Sequence, residues 1–430
     1  MAGLLAARVL ADHFAEVSVV EIDAKPEQPA DRKGTPQGRH VHSLLPRGAH
    51  VLETLFPGIR AALALDGAAE VDLLNEVASY VGGWSTRVPG RELRGPFMSR
   101  ALLEWHVDRR VRALPNVRLC SGVRARGLRL DSDSRRITGV LLSEREGKDA
   151  EHLDGDLVVD AMGRGSRLSS WLVELGLSPA PVTEISIATV YASRIIERPD
   201  PSPPWKMLLL FPAAGGRHGG AVFPLEGNRL LVTLVGMAGA EPPHESDQAY
   251  LDFARALDVP DLYDLLARAR PLGPIVRHRF TSNQRRHYER CPELPRRLLV
   301  LGDAACSFNP RFGQGMTVAA LEAEALQPLL GQGDLDTLGA RFHQRIAPII
   351  DQCWQATTAE DLRYPEAIGA RPLSLRVLQW YVARIMRRLQ TDPVVKETFL
   401  RVSFLLDPPA ALLRPSFAAR VLLPARRNAG

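Results

Sequence analysis

One stretch near residue 300 constrains the fold of this chain more than any other. The apolar run LLVL, residues 298–301, ends on Gly302 and Asp303, and FNPRFGQGM, residues 308–316, leads into an alanine-rich helix. A buried strand, a glycine-rich loop and a helix in this order are typical of a parallel α/β sheet. The glycines leave backbone N–H groups free to face a ring, the carboxylate can accept hydrogen bonds from a polyol, and the helix N-terminus adds partial positive charge. We therefore predict a site for a large anionic, ring-bearing cofactor.

The N-terminal residues match the second half of a dinucleotide-binding βαβ unit. Gly3 begins an amphipathic helical pattern, and the β-branched run VSVV, residues 17–20, ends on Glu21. In such a unit the third glycine of G-x-G-x-x-G opens the helix, and an acid about 20 residues further on binds the ribose hydroxyls. Gly3 and Glu21 have this spacing. The first strand of the unit and the two glycines that face the pyrophosphate are missing from the sequence.

A second strand that ends on an acid lies in LVVDAMGRGSRL, where Asp160 precedes Gly163. Glycines here indicate a turn in which the backbone approaches a ligand closely or adopts positive φ. Two interpretations remain open. The turn contacts a cofactor, or it is a tight strand-to-helix connection with Ser166 as the helix cap and both of its arginines in solvent.

From about residue 183 the hydrophobic pattern changes to period two. TEISIATVYASRI alternates, and GGAVFPLEGNRLLVTLVGM contains two strands around a turn at Gly227 and Asn228, which predicts an antiparallel sheet inserted into the α/β domain. After about residue 333 the sequence is helical and interrupted by prolines. The predicted units are 1–182 and 286–332 for the cofactor domain, 183–285 for the sheet that binds substrate, and 333–430 for a helical C-terminal region.

Composition excludes several classes of protein. The net charge is +5, but the arginines are spread along the chain, so we predict no nucleic-acid partner. The four cysteines form no C-x-x-C pair, which favours a reducing cytoplasm. No apolar run is long enough for a membrane helix, and no signal peptide is recognisable. His40 and His42 form an H-x-H, but no third ligand is near in sequence, so no metal is predicted.

Together these stretches resemble the FAD-dependent aromatic hydroxylase and epoxidase superfamily, the flavoprotein monooxygenases that include 4-hydroxybenzoate hydroxylase and squalene epoxidase. GRHVHSLLPRG, SRALLEWHVDRRV and CSFNPRFGQGM are most similar to a bacterial branch that contains polyether-pathway epoxidases. The resemblance covers about residues 1–330. It implies an α/β fold with a Rossmann-like FAD-binding domain, an inserted antiparallel β-sheet substrate domain and a helical C-terminus.

The resemblance implies a position for the adenosine and phosphate half of FAD. Gly3 would close the pyrophosphate loop, and Glu21 would bind the adenosine ribose. Arg39 and Arg100 would lie near the flavin phosphates and the ribityl chain. The backbone of Val123 would meet the adenine.

The resemblance also implies contacts with the flavin half. Asp160 and Gly163 fit the DG motif, which in this family serves FAD and the transient NAD(P)H together. Asp303 would bind the ribityl chain or the pyrophosphate. The residues that would border the isoalloxazine are Pro310, Gly313, Gln314, Gly315 and Met316.

Two departures from the family pattern matter. Met162 stands where the DG motif has a small or hydroxylated residue, which is expected to perturb contact with the pyridine nucleotide. The missing first strand is normally central in the sheet, and its absence would leave backbone groups unpaired at a cost of at least several kcal/mol. We therefore expect either that the sequence starts too late, Met1 being an internal methionine, or that the chain does not hold FAD tightly. An in-frame upstream segment with an apolar strand and G-x-G would support the first option.

The resemblance implies a cytoplasmic oxidoreductase. FAD would be reduced by NADPH or NADH and would react with molecular oxygen, and a flavin hydroperoxide would insert one oxygen atom into a small-molecule substrate. No side chain need act as a nucleophile. Because the predicted strands near KMLLLFPA and residues 221–235 are largely apolar, an apolar substrate such as an alkene is favoured, with epoxidation or hydroxylation as the reaction.

Other functions remain open at this stage. A flavin-dependent halogenase shares the fold, but its W-x-W-x-I-P segment is missing here. A flavin-dependent reductase of isoprenoid-type double bonds would use the same FAD stretches. A degenerate, non-catalytic flavoprotein fold kept as a binding module is suggested only by the truncated N-terminal unit.

The segment LRVLQWYVARIMRRL, residues 375–389, is a basic amphipathic helix. Such a helix could lie on a membrane, but packing on the protein core is the favoured prediction. The apolar residues of the predicted buried face are Leu375, Leu378, Val382, Ile385 and Leu389.

Overall fold

The helices and strands follow the predicted order along most of the chain. The computed structural model describes residues 1–24, 26–32, 34–131, 135–144, 151–212 and 215–423. In these residues the α-helices are α1 (Ala2–Leu10), α2 (Pro46–Leu55), α3 (Ile59–Leu65), α4 (Arg100–Arg112), α5 (Leu168–Glu174), α6 (Asp247–Arg255), α7 (Asp261–Arg268), α8 (Gly315–Leu330), α9 (Leu335–Asp361), α10 (Leu373–Arg388), α11 (Pro393–Ser403) and α12 (Pro415–Leu422). The strands are β1 (Val17–Glu21), β2 (Ala69–Asp72), β3 (Val77–Tyr80), β4 (Arg94–Phe97), β5 (Val117–Ser121), β6 (Val123–Asp131), β7 (Arg136–Glu144), β8 (Glu151–Asp154), β9 (Val158–Asp160), β10 (Val182–Glu197), β11 (Met207–Leu210), β12 (His218–Leu225), β13 (Arg229–Met237), β14 (Val276–Arg286), β15 (Leu298–Val300) and β16 (Cys306–Ser307).

Two parallel strand pairs form the α/β layer. β1 pairs with β5, and β9 pairs with β15. The helices α1, α4, α8 and α9 pack around these pairs, and the apolar side of α1 is almost fully buried, with Leu5 at 0% and Val9 at 1% exposure. Each fully buried aliphatic side chain contributes about 1.5–3 kcal/mol, so this helix anchors the layer.

The second layer is a larger sheet in the strand order β16-β14-β10-β13-β12-β11-β3. β12 and β13 form the predicted hairpin, in which Leu225 pairs with Arg229 across a turn. Gly227 and Asn228 have positive φ, at 70° and 56°, a conformation that glycine and asparagine adopt most readily. One face of the sheet is covered by α6 and α7 around Tyr250 and Leu262, which are both buried.

The large sheet also includes strands from outside residues 183–285. β10 begins at Val182, β14 ends at Arg286, and Asp334 caps α9. However, β3 lies in the predicted unit 1–182 and pairs in parallel with β11 as an edge strand. Ala78 and Tyr80 of β3 pack on the core under α6 and α7, and this long-range burial explains a pairing that local sequence patterns do not reveal.

The helix α10 packs on the core only through its C-terminal half. Of the predicted buried face, Ile385 and Leu389 are buried, Leu375 and Val382 are half-buried, and Leu378 is exposed. The prediction for this helix is therefore correct for its second half and wrong for Leu378. Among the helices of the described residues, none combines the length and apolar content needed to cross a membrane.

Candidate active site

A cavity of about 1000 Å³ lies between the α/β layer and the inner face of the large sheet. Residues of α1, β1 and β9 line one part, and the loop before α8 together with β10 and β14 lines the other. Its volume is at the upper end of the range for small-molecule and cofactor sites.

The structure brings nearly all predicted cofactor residues to this cavity. Arg39 is the exception, because it ends a 3-10 turn, is half exposed on its side chain and pairs with Asp31 at 3.3 Å. The residues that line the cavity are Gly3, Glu21, Arg100, Val123, Asp160, Gly163, Asp303, Pro310, Gly313, Gln314, Gly315 and Met316.

The loop after β15 presents a carboxylate to the cavity. Gly302 has a φ of +65°, and a Cβ at this position would lie 2.7 Å from the Cβ of Ala2, so only glycine fits this turn. The carboxylate of Asp303 makes no hydrogen bond or close ion pair within the described residues; burial raises its pKa, and the charges of Arg100 and Arg164 oppose that rise. The Asp303 oxygens are thus available to accept hydrogen bonds from a ligand.

Glu21, the acid predicted to bind the adenosine ribose, pairs with an arginine that the sequence analysis did not single out. Arg32 donates to Glu21 Oε2 at 3.0 Å and to Glu104 Oε2 at 2.7 Å. Arg100 donates to the other oxygen of Glu104 at 2.8 Å. Two predicted cofactor residues, Glu21 and Arg100, are therefore joined through a charged bridge on the cavity wall.

The turn after β9 is held by its own strand-end acid. Asp160 Oδ1 accepts from the N–H of Met162 at 2.9 Å, and Oδ2 accepts from the hydroxyl of Ser166 at 2.5 Å. The same hydroxyl accepts from the N–H of Leu168, the first residue of α5, at 3.1 Å. The N-cap position itself is occupied by Arg167, so the prediction of Ser166 as the helix cap is wrong by one residue.

Arg164, in the same turn, does not point into solvent. It donates to the carbonyl oxygen of Ser282 and, at 2.8 Å, to the hydroxyl of Ser282, and it also donates to Ser307 Oγ at 3.1 Å. The solvent placement expected for Arg164 is wrong, because the turn lies against β14 and β16 of the large sheet.

Three aromatic rings meet where the cavity reaches the sheet, and we call them the ring cluster: His40, Tyr191 and His278. Tyr191 and His278 are directly opposite each other in the antiparallel pair of β10 and β14, with ring centroids 6.4 Å apart. His40 lies 5.5 Å from His278 and 6.2 Å from Tyr191 by the same measure. Sequence reasoning missed the cluster, although Tyr191 and Ser193 stand on one face of a period-two strand.

A buried polar network fixes the ring cluster to the loop before α8. The Tyr191 hydroxyl donates to Asn309 Oδ1 at 2.7 Å, and Asn309 Nδ2 donates to Asp361 Oδ1 at 3.1 Å. Asn283 donates to the other oxygen of Asp361 at 2.7 Å and accepts from the Asn309 N–H at 2.6 Å. The network thus connects β10, β14, the cofactor loop and the end of α9.

No family model matches the chain. Protein Rv3254 of Mycobacterium tuberculosis is 33% identical over 431 residues, which cover 95% of this chain and 88% of that protein. The flavin-dependent brominase Bmp2 matches with a TM-score of 0.62 at 14% identity, covering 94% of this chain and 90% of Bmp2. PqsL of Pseudomonas aeruginosa, described as a probable FAD-dependent monooxygenase, matches with a TM-score of 0.57 at 17% identity, covering 84% of this chain and 94% of PqsL.

These similarities show that the chain shares the fold of Bmp2 and PqsL, which confirms the predicted fold class. Within that fold, the chain belongs to the family of Protein Rv3254.

Proposed function

We propose that the protein is an FAD-dependent monooxygenase that uses NADPH or NADH and O2 to oxygenate a small-molecule substrate. The observation that carries the proposal is the cavity of about 1000 Å³ described above. Twelve predicted cofactor positions line it, and it continues to the inner face of the large sheet, where a substrate would meet the cofactor loop.

The residues present fit FAD. Asp303 offers to a polyol a carboxylate that has no partner among the described residues. α8 begins at Gly315 beside it, so the positive end of the helix faces the same space. Gly163 has a φ of +75°, and a Cβ there would meet no atom within 4 Å, which leaves room for a ligand against the backbone. Bound FAD would supply the redox chemistry, taking electrons from NAD(P)H and passing them to O2.

The chain's own contribution is to hold and enclose the substrate. Phe308, Val41 and Met316 contribute apolar surface to the lining of the cavity, which limits access of water. Such a site can direct one oxygen atom into a double bond or an aromatic ring, so epoxidation and hydroxylation are both compatible with the proposal.

The first test is the visible absorption spectrum of the purified protein after incubation with FAD and removal of free flavin. We expect oxidised-flavin bands, and NAD(P)H oxidation coupled to O2 uptake in the presence of substrate. Asp303→Ala is expected to weaken FAD binding about 10–100-fold, because charge-assisted hydrogen bonds of about 1.5–3 kcal/mol are lost.

A matched control is Asp264→Ala, which removes an exposed carboxylate on α7, outside the cavity lining. It is expected to leave FAD binding unchanged. Protein that retains no FAD, even when an in-frame upstream segment with an apolar strand and G-x-G is included, would overturn the proposal. Reduction of an isoprenoid-type double bond by NADPH without O2 uptake would instead identify a reductase.

A further inference from the structure

The ring cluster has hydrogen-bonding groups that the described residues of the protein leave without partners. No hydrogen bond to either ring nitrogen of His278 occurs among the described residues, and its ring is half-buried on the cavity wall. His40 is 5% exposed, and within the described residues it forms a side-chain hydrogen bond only through Nδ1, which lies 2.7 Å from Ser193 Oγ. Polar groups in such positions normally have partners, so Nε2 of His40 and the His278 ring are open to a ligand.

A chain of hydroxyls behind His40 sets the role of its free nitrogen. The N–H of Val41 donates to Thr233 Oγ1 at 3.3 Å, and Thr233 Oγ1 lies 2.5 Å from Ser193 Oγ. A backbone N–H only donates, so Thr233 Oγ1 accepts from Val41. Each hydroxyl then accepts one hydrogen bond and donates one if Thr233 donates to Ser193 and Ser193 donates to His40 Nδ1. His40 then carries its proton on Nε2 and presents a donor to the cavity.

The charge of this region limits the ligand further. Burial lowers the pKa of His278, and burial together with His278 and Arg39 lowers the pKa of His40 to about 3, so both imidazoles are neutral at pH 7. Arg277 and Arg279, which flank His278 on β14, point to the opposite face of the strand and pair there with Glu241. A neutral donor beside a neutral acceptor matches an uncharged group that both donates and accepts, whereas an ionised carboxylate only accepts and would leave the acceptor without a partner.

We infer that the ring cluster is the substrate subsite and that it binds a planar aromatic ring through a hydroxyl group. The hydroxyl donates its hydrogen to His278 and accepts from His40 Nε2, while the Tyr191 ring packs beside the bound ring. Since Tyr191 is tied to Asn309, this places the substrate next to the cofactor loop. The inference rests on the proposed function for what happens to the ring, whereas binding itself requires no turnover.

The test is calorimetric titration of the protein, without NAD(P)H, with 1-naphthol, 1-methoxynaphthalene and 1-naphthoate, and with the smaller pair 4-ethylphenol and 4-ethylanisole. We expect the wild type to bind at least one of the two hydroxyl compounds about ten-fold or more tightly than its ether, because a buried unsatisfied partner is costly. His278→Phe keeps a planar ring and is expected to abolish this preference. Because His278 has no hydrogen bond within the described part of the chain, the melting temperature should change little.

The matched control is His218→Phe, which replaces a histidine on β12 that contacts Phe253 of α6 outside the cavity lining. It should keep the full hydroxyl preference, and His278→Gln should keep part of it. Each of three results would overturn the inference. The first is that neither ring size shows a preference for the hydroxyl compound, the second is tighter binding of 1-naphthoate, and the third is an unchanged preference in His278→Phe. A hydroxyl preference without NAD(P)H-dependent O2 uptake would overturn the proposed function alone, and O2 uptake without that preference would overturn only the subsite.

Discussion

Replacing Asp361 with alanine is expected to lower the free energy of unfolding by about 2–5 kcal/mol. Asp361 is fully buried at the end of α9 and accepts hydrogen bonds from Asn283 and Asn309. Alanine would leave both amides without this acceptor in a site closed to water, and each buried unsatisfied group costs about 1–3 kcal/mol. Denaturation in urea, followed by circular dichroism, measures the loss.

The neighbouring acid provides the control. Glu360 pairs with Arg363 at 2.9 Å near the surface, and removal of such a pair costs about 0–1 kcal/mol. Asp361→Asn keeps one acceptor oxygen and should fall between the wild type and Asp361→Ala. An Asp361→Ala protein as stable as Glu360→Ala would show that the network contributes little to the fold.

The same network explains why loss of Asp361 should also affect ligand binding. Asn309 is held by Asp361 on one side and accepts from Tyr191 on the other. Without that support the loop before α8 and the Tyr191 ring lose their fixed relation. Stability and site geometry are therefore coupled through one buried asparagine.

The sequence predicted those parts of the fold that depend on local patterns of residue types. The strand and loop at residues 298–316 and the hairpin turn at Gly227 each depend on residues close in sequence. Positions such as Gly302 and Asp303 could be assigned because turn geometry and strand ends restrict which residue types fit.

The parts that were missed depend on contacts between distant segments. His40 and Tyr191 meet only because a loop of the α/β layer reaches across to the large sheet, and Asp361 enters the site from the end of a long helix. Arg32 lies in a loop of no regular pattern, and its two carboxylate partners come from separate elements. The periodicity of the sequence does not predict the partners of such side chains, because those partners are determined by how the two layers pack together.

A pH-dependent loss of stability is expected from Glu322, a fully buried carboxyl on α8. Its Oε2 accepts from the N–H of Gly302 at 2.6 Å, and its Oε1 has no hydrogen-bond partner among the described residues. Burial raises the pKa of Glu322 from 4.5 to about 8; the Gly302 N–H opposes the rise, and the nearby Asp303 adds to it. The side chain is thus protonated in the folded protein at pH 7.

Because the folded-state pKa is higher than that of the unfolded chain, the folded protein binds a proton that the unfolded chain has released between pH 4.5 and about 8. The bound proton makes its whole contribution to the free energy of unfolding below pH 4.5. This contribution is lost as the pH rises from 4.5 to about 8, at about 1.4 kcal/mol per pH unit. Glu322→Gln resembles the protonated form and cannot titrate. Relative to this variant, the wild type should lose stability steadily from pH 5 to 8.

Urea denaturation of both proteins at pH 5, 6, 7 and 8 measures the difference. Glu324→Gln is the matched control, since Glu324 lies on the same helix, is partly exposed and pairs with Arg47 at 2.5 Å. It should follow the pH dependence of the wild type. Parallel stability curves for the wild type and Glu322→Gln would mean that Glu322 is ionised in the folded state, and that the Gly302 N–H together with structural relaxation compensates its burial.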